Sequence, residues 1–182
     1  ALRAMPGLVT LRPAAAYETA DAWEMALARE GPTVLALTRQ NLPALVDNEA
    51  GENVCRRGAH KLLAVDEPMA TIFATGSEVE IAIAAAEQLA TFEIAAEVVS
   101  IPSMELFRAA DPDYREMMIG KAPVKVAVEA AVRFGWEEII GTDGIFIGMD
   151  SFGASGPYKA LYEHFGSTPG AVVQAVRERI GR

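Results

Sequence analysis

Short apolar runs alternate along this chain with longer segments of helical period, and that alternation admits few architectures other than a sheet covered by helices. The expected strands are Leu8 to Arg12, Thr33 to Leu37, Lys61 to Val65, Ala70 to Ala74, Ala95 to Ser100, Val124 to Val128 and Ile145 to Met149. Val124, Val126 and Val128 alternate with Lys125, Ala127 and Glu129, the period of a pleated strand. Helical period covers Tyr17 to Arg29, with Trp23, Ala26 and Leu27 expected inward, and Glu78 to Thr91, where Val79, Ile83, Ala86 and Ala90 form one apolar stripe. A mixed helical stretch runs from Ser103 to Met118, and two last helices cover Tyr158 to Phe165 and Ala171 to Ile180, the second with Val172, Val173, Val176 and Ile180 inward. The fold class is α/β.

Composition narrows the function. With 51% hydrophobic residues the chain can bury a sizeable core, so it is not a disordered segment. A net charge of -9 with no run of Lys and Arg argues against a nucleic-acid groove. The single cysteine, Cys55, excludes an intrachain disulfide and a cysteine-rich metal cage, which points to a reducing compartment, by default the cytoplasm. No stretch reaches the roughly 18 apolar residues of a membrane helix. The opening ALRAMPGLVTLRP lacks an initiator methionine and runs straight into a strand, so the expectation is a piece of a longer protein. Pro43 to Gly58 has little periodicity and is the candidate linker, with a domain boundary near residues 46 to 58.

Local chemistry singles out Leu37 to Pro43, LTRQNLP. Arg39 follows a buried strand, where its forked donors match a phosphate or carboxylate; a surface ion pair is the alternative. Gln40 and Asn41 are expected to hydrogen-bond this loop rather than contact a ligand. Thr75-Gly76-Ser77-Glu78 joins a strand to a helix and could hold an anion, but a capped turn, with Thr75 or Ser77 as cap, is the preferred reading. Ser151 to Gly156 lacks the order of a nucleophile elbow, and Phe152 reads as a core anchor between glycines. Cys55 stands beside Arg56 and Arg57, which could lower its thiol pKa as an alternative, but an inert thiol is the preferred reading. The two histidines, His60 and His164, read as surface or packing residues.

Taken together, LRP at 11 to 13, LTRQNLP at 37 to 43, ATGSEVEIA at 74 to 82, VVSIPS at 98 to 103, VAVEA at 126 to 130 and FGASGP at 152 to 157 occur in an order and spacing that resembles the C-terminal part of a transketolase. The likeness covers nearly the whole chain. RQNLP is its most discriminating segment, because related thiamine enzymes that share this fold differ there.

The resemblance implies a three-layer αβα sandwich with a mostly parallel sheet, like the transketolase C-terminal domain, over residues 49 to 182, preceded by the end of a pyrimidine-binding domain over residues 1 to 48. It implies transfer of a two-carbon ketol unit between sugar phosphates with thiamine diphosphate and Mg2+ or Ca2+, in a homodimer. The family's GDG motif for diphosphate and metal does not occur here, and neither histidine matches a substrate-handling position, so the chain alone is expected to be inactive, with no catalytic, cofactor or metal residue of its own. Arg39 matches the arginine with which the family binds the substrate's phosphate. Where transketolases commonly read RPAD followed by NE, this chain carries Ala15 and Tyr17, and Thr38 replaces a common serine. Two further readings stay open: another thiamine-dependent ketol transferase or split-transketolase subunit, and a non-catalytic dimerisation or regulatory module.

Overall fold

A computed structural model describes residues 1–45 and 51–182. A short parallel pair comes first: β1 (Val9–Leu11) and β2 (Thr33–Leu35), joined by α1 (Ala16–Ala28). The main sheet contains β3 (His60–Leu63), β4 (Ala70–Ala74), β5 (Ala96–Ser100), β6 (Val124–Val128) and β7 (Ile145–Ile147) in the order β3-β5-β4-β6-β7. All its pairings are parallel except β3 with β5. The remaining helices are α2 (Glu78–Ala90), α3 (Met104–Ala109), α4 (Pro112–Ile119), α5 (Glu137–Ile140), α6 (Tyr158–His164) and α7 (Pro169–Ile180).

Strand alternation builds the three layers. Ile72, Val98, Val124, Val126 and Val128 point to one face, where Val79, Ala82, Ala85 and Leu89 of α2 and Val172 and Val176 of α7 cover them. Phe73, Val99 and Ala127 point to the other, under Met104 and Phe107 of α3, Tyr114 and Met118 of α4, and Trp136 and Ile139 beside α5. A parallel sheet sandwiched in this way is apolar on both faces, and each fully buried large side chain such as Ile72, Phe73 or Leu89 contributes about 1.5–3 kcal/mol.

Several expectations are corrected. In α1 the buried residues are Glu18 and Ala22, with Met25 packed nearby, whereas Trp23 is 52% and Leu27 80% exposed. The face toward the main sheet is chosen by the hydrogen bonds of Glu18 and not by apolarity. Along α2, Ala90 is exposed and the inward face is Val79, Ala82, Ala85, Ala86 and Leu89, a register that puts the larger Leu89 in the core. Ser103 caps α3 and Asp111 caps α4, so the mixed helical stretch is two helices broken before Pro112. The four-residue α5 went unexpected. Phe152 is 99% exposed and anchors no core, because Ser151 to Gly156 lie on the surface.

The second half of the expected linker is held in place by hydrogen bonds. The middle of the linker, with the boundary between residues 48 and 49, lies outside the described residues. From Asn53 onward the chain is pinned to α1: the Asn53 amide donates to Asp21 O at 3.1 Å, the Val54 N–H donates to the Asp21 carboxylate at 2.8 Å, and Cys55 is fully buried.

Candidate functional site

The loop after β2 carries Arg39. Its start is fixed by the Ala36 N–H donating to Leu11 O at 2.8 Å, which extends the β1–β2 pairing, and Thr38 Oγ1 donates to Gln40 O at 3.2 Å. This tie comes from Thr38; the side chains of Gln40 and Asn41 make no such bond among the described residues. They line instead an open cavity of about 490 Å3 with Thr38 and with Ala15, Ala16 and Thr19 at the start of α1. Arg39 is exposed at this loop, and no acid among the described residues pairs with it.

The N-cap of α1 is Ala15, which offers no side-chain acceptor to the first turn. The aspartate common at this place in transketolases would cap it, a contribution of about 1 kcal/mol. The 13-residue α1 therefore starts beside the cavity without a side-chain cap from Ala15, next to a loop whose guanidinium has no acidic partner among the described residues. That arrangement suits an anion.

Behind this loop, four of the segments that carry the family resemblance converge. Arg12, at the end of β1, donates through Nη1 to Glu129 and through Nη2 to Glu78 at 2.9 Å. Arg3 adds a bidentate contact to Glu129 at 2.6 and 2.7 Å, and the Trp136 indole donates to the same carboxylate at 2.8 Å. Glu78 also accepts from Ser77 and Tyr162 hydroxyls. The backbone joins in, with the Arg12 N–H donating to Pro102 O at 2.8 Å and the Gly76 N–H to Arg12 O at 3.0 Å. Burial alone would lower the Arg12 pKa, but the charges of Glu78 and Glu129 outweigh it and hold it above its ordinary value. Burial would likewise raise Glu129, yet the bonds and charge of Arg3, with Arg12 and Trp136, keep it below the usual carboxylate range.

Ser77 stands at the N-cap of α2 but its side chain makes no cap bond, and Thr75 Oγ1 is buried without a partner among the described residues, so neither hydroxyl caps the turn as expected. Glu78, in the first turn of α2, holds Arg12 instead.

Another buried carboxylate, Glu18, accepts from the Ala14 N–H at 2.7 Å and Ser100 Oγ at 2.9 Å, and lies 2.8 Å from His60 Nε2. His60 is thus a packing residue between the two sheets, and His164 is exposed against Phe165. Cys55 Sγ donates to Glu18 O, and burial first, then the charges of Glu18 and Asp21, push its thiol pKa well up. Burial and the raised pKa support the inert thiol over the activated one. The sequence reading misses the cluster of Arg12, Glu18, Glu78 and Glu129; the available signal is that Arg12, Glu78 and Glu129 lie in motif segments that follow strands.

Residues 58–168 match the family model of the transketolase-like C-terminal domain, and residues 1–44 match that of the transketolase pyrimidine-binding domain. A transketolase of Cereibacter sphaeroides is 50% identical over 180 residues, 98% of this chain and 27% of that protein. The solved transketolase from Leishmania mexicana superposes with a TM-score of 0.87 at 40% identity, covering 97% of this chain and 26% of that one. A split gene transketolase, described as an inactive beta4 tetramer, shares the fold with a TM-score of 0.80 at 22% identity, covering 97% of this chain and 58% of that one. This chain spans about a quarter of the length of the first two. The C-terminal-domain model alone matches more than half of its residues, and the chain belongs to the transketolase family.

Proposed function

We propose that this chain is the C-terminal part of a longer, cytoplasmic, homodimeric transketolase, which passes a two-carbon ketol unit from a ketose phosphate to an aldose phosphate, and that Arg39 binds the phosphate of the sugar. Residues 1 to 48 are then the end of the pyrimidine-binding domain and 49 to 182 the C-terminal domain. The observation that carries the reading is the exposed Arg39 guanidinium, without an acidic partner among the described residues, on a loop beside an open cavity and the start of α1. A charge-assisted fork on a phosphate fits that setting.

Carbanion stabilisation belongs to thiamine diphosphate, held with Mg2+ or Ca2+. The residues of this chain do not fit that group: GDG is missing from the sequence, and among the described residues no three His, Cys, Asp or Glu side chains gather as metal ligands. The cofactor is assigned to the rest of the longer enzyme, and the chain alone is expected to transfer nothing. Its own contribution is to present Arg39 on a rigid base, because Arg12 and Glu18 fasten β1 and α1 to the main sheet. Among the described residues no helix is long and apolar enough to cross a membrane.

The test is Arg39→Ala in the longer enzyme. For phosphorylated sugars kcat/KM falls by about 10- to 100-fold, mainly through KM, while unphosphorylated sugars change little. Equal loss for both overturns the role.

A further inference from the structure

On the sheet face away from α2 and α7, helices α3, α4 and α5 enclose a cavity of about 290 Å3. Its floor is apolar, made by Met104, Phe107 and Ile139, all nearly buried. Its walls carry two arginines. Arg108 is committed, since its Nε donates to Glu138 at 2.7 Å. Arg115 is not. Its backbone N–H closes the first turn of α4 on Asp111 O, but its Nε is shielded from solvent with no acceptor, and no acid among the described residues pairs with its guanidinium.

A buried N–H without an acceptor carries its desolvation cost with no return, so a group that brings an oxygen to Arg115 is favoured there. The Nε edge of a guanidinium presents two parallel N–H groups, which match a carboxylate. Charge limits the ligand, because Glu116 and Glu138 stand on the same walls and would repel a second negative charge. Size limits it too, since about 290 Å3 is at the lower end of small-molecule sites and admits a body of roughly one ring. We infer that this cavity binds a small monocarboxylate with a compact apolar body, its carboxylate on Arg115 and its body on Met104, Phe107 and Ile139. The inference is independent of the sugar-phosphate reading, since Arg39 and the α1 cavity take no part in it.

The probe is benzoate, with benzyl alcohol as its uncharged counterpart, titrated at neutral pH into the full chain while the methyl resonances of Ile119 and Ile139 are followed by NMR. Benzoate is expected to shift both methyls saturably and to bind roughly tenfold or more tightly than benzyl alcohol. Arg115→Gln is expected to abolish that preference, and Arg115→Lys, which keeps the charge but loses the fork, to retain part of it. Neither variant touches the Asp111 cap or the buried Tyr114 and Met118 that seat α4, and unchanged far-shifted methyls elsewhere verify the fold. Absence of saturable shifts at these methyls, equal affinity for the two probes, or full benzoate affinity in Arg115→Gln overturns the site.

Discussion

Arg12 and Glu129 stand 117 positions apart in sequence and form an ion pair where β1 meets the end of β6. Glu129 is 2% exposed at its side chain, and Arg12 also holds Glu78, so one guanidinium links the small parallel pair to both the interior strand β6 and the helix α2. Buried pairs of this kind add little net stability when intact, but removing one partner strands the other charge.

Arg12→Ala should therefore destabilise the chain by about 3 kcal/mol, at the lower end of the range for broken buried pairs because Arg3 remains on Glu129. The check is the urea midpoint of the variant against the parent. A shift within experimental scatter would remove the junction from the list of what holds the two sheets together.

Acid should open the same junction. Despite the opposing effect of burial, Arg3, Arg12 and Trp136 keep the pKa of Glu129 below its unfolded value, so its contribution is complete above the ordinary carboxylate pKa of about 4.3 and is lost as pH falls through the folded value. Urea midpoints should decline as the pH drops below that range. In Glu129→Gln the overall stability is lower and the decline shallower; an unchanged acid slope would mean that other carboxylates set it.

Gly58 ends the segment that returns from α1 to the main sheet, at φ +75°. A Cβ there would lie 2.1 Å from Phe107 N and 2.3 Å from Ser103 O, both backbone atoms of the first turn of α3 and its cap. Neither can give way without moving the helix. Gly58→Ala should cost about 3 kcal/mol, read as a fall in thermal midpoint, whereas Gly170→Ala, where nothing stands within 4 Å, should change it little.

Much of this fold is legible in the sequence because strand period is binary. Val124, Val126 and Val128 face α2 and α7 while Ala127 faces α3 to α5, as alternation requires. Helix faces were less legible. The alanine-rich α2 has little contrast between its sides, so the stripe expected through Ile83 and Ala90 lies one position away from the buried Ala82 and Leu89. In α1 the residue that turns inward is Glu18, whose burial depends on donors from Ala14, Ser100 and His60 that hydrophobic pattern cannot register. At the candidate site, Arg39 could be read locally because a strand end and a forked cation are adjacent in sequence. The Arg12, Glu78 and Glu129 cluster could not, because its charges meet only when the ends of β1 and β6 are brought to the start of α2.

Cys55 reports on that junction. Its side chain is fully buried between α1 and the segment beginning at Asn53, and burial, aided by Glu18 and Asp21, disfavours the thiolate that reacts with disulfide reagents. Labelling by an aromatic disulfide at mildly alkaline pH should thus be slow in the native chain and rapid in denaturant. If the thiol is reached by opening of the contacts between the small sheet and the large one, the native rate scales with the open population. Arg12→Ala should then speed labelling by roughly 100-fold, the equivalent of its expected 3 kcal/mol. An accelerated rate in Arg12→Ala with no change in Arg39→Ala would tie the thiol to the buried charge cluster and not to the exposed loop; equal rates in all three chains would show that Cys55 is exposed by a local motion that leaves Arg12 and Glu129 paired.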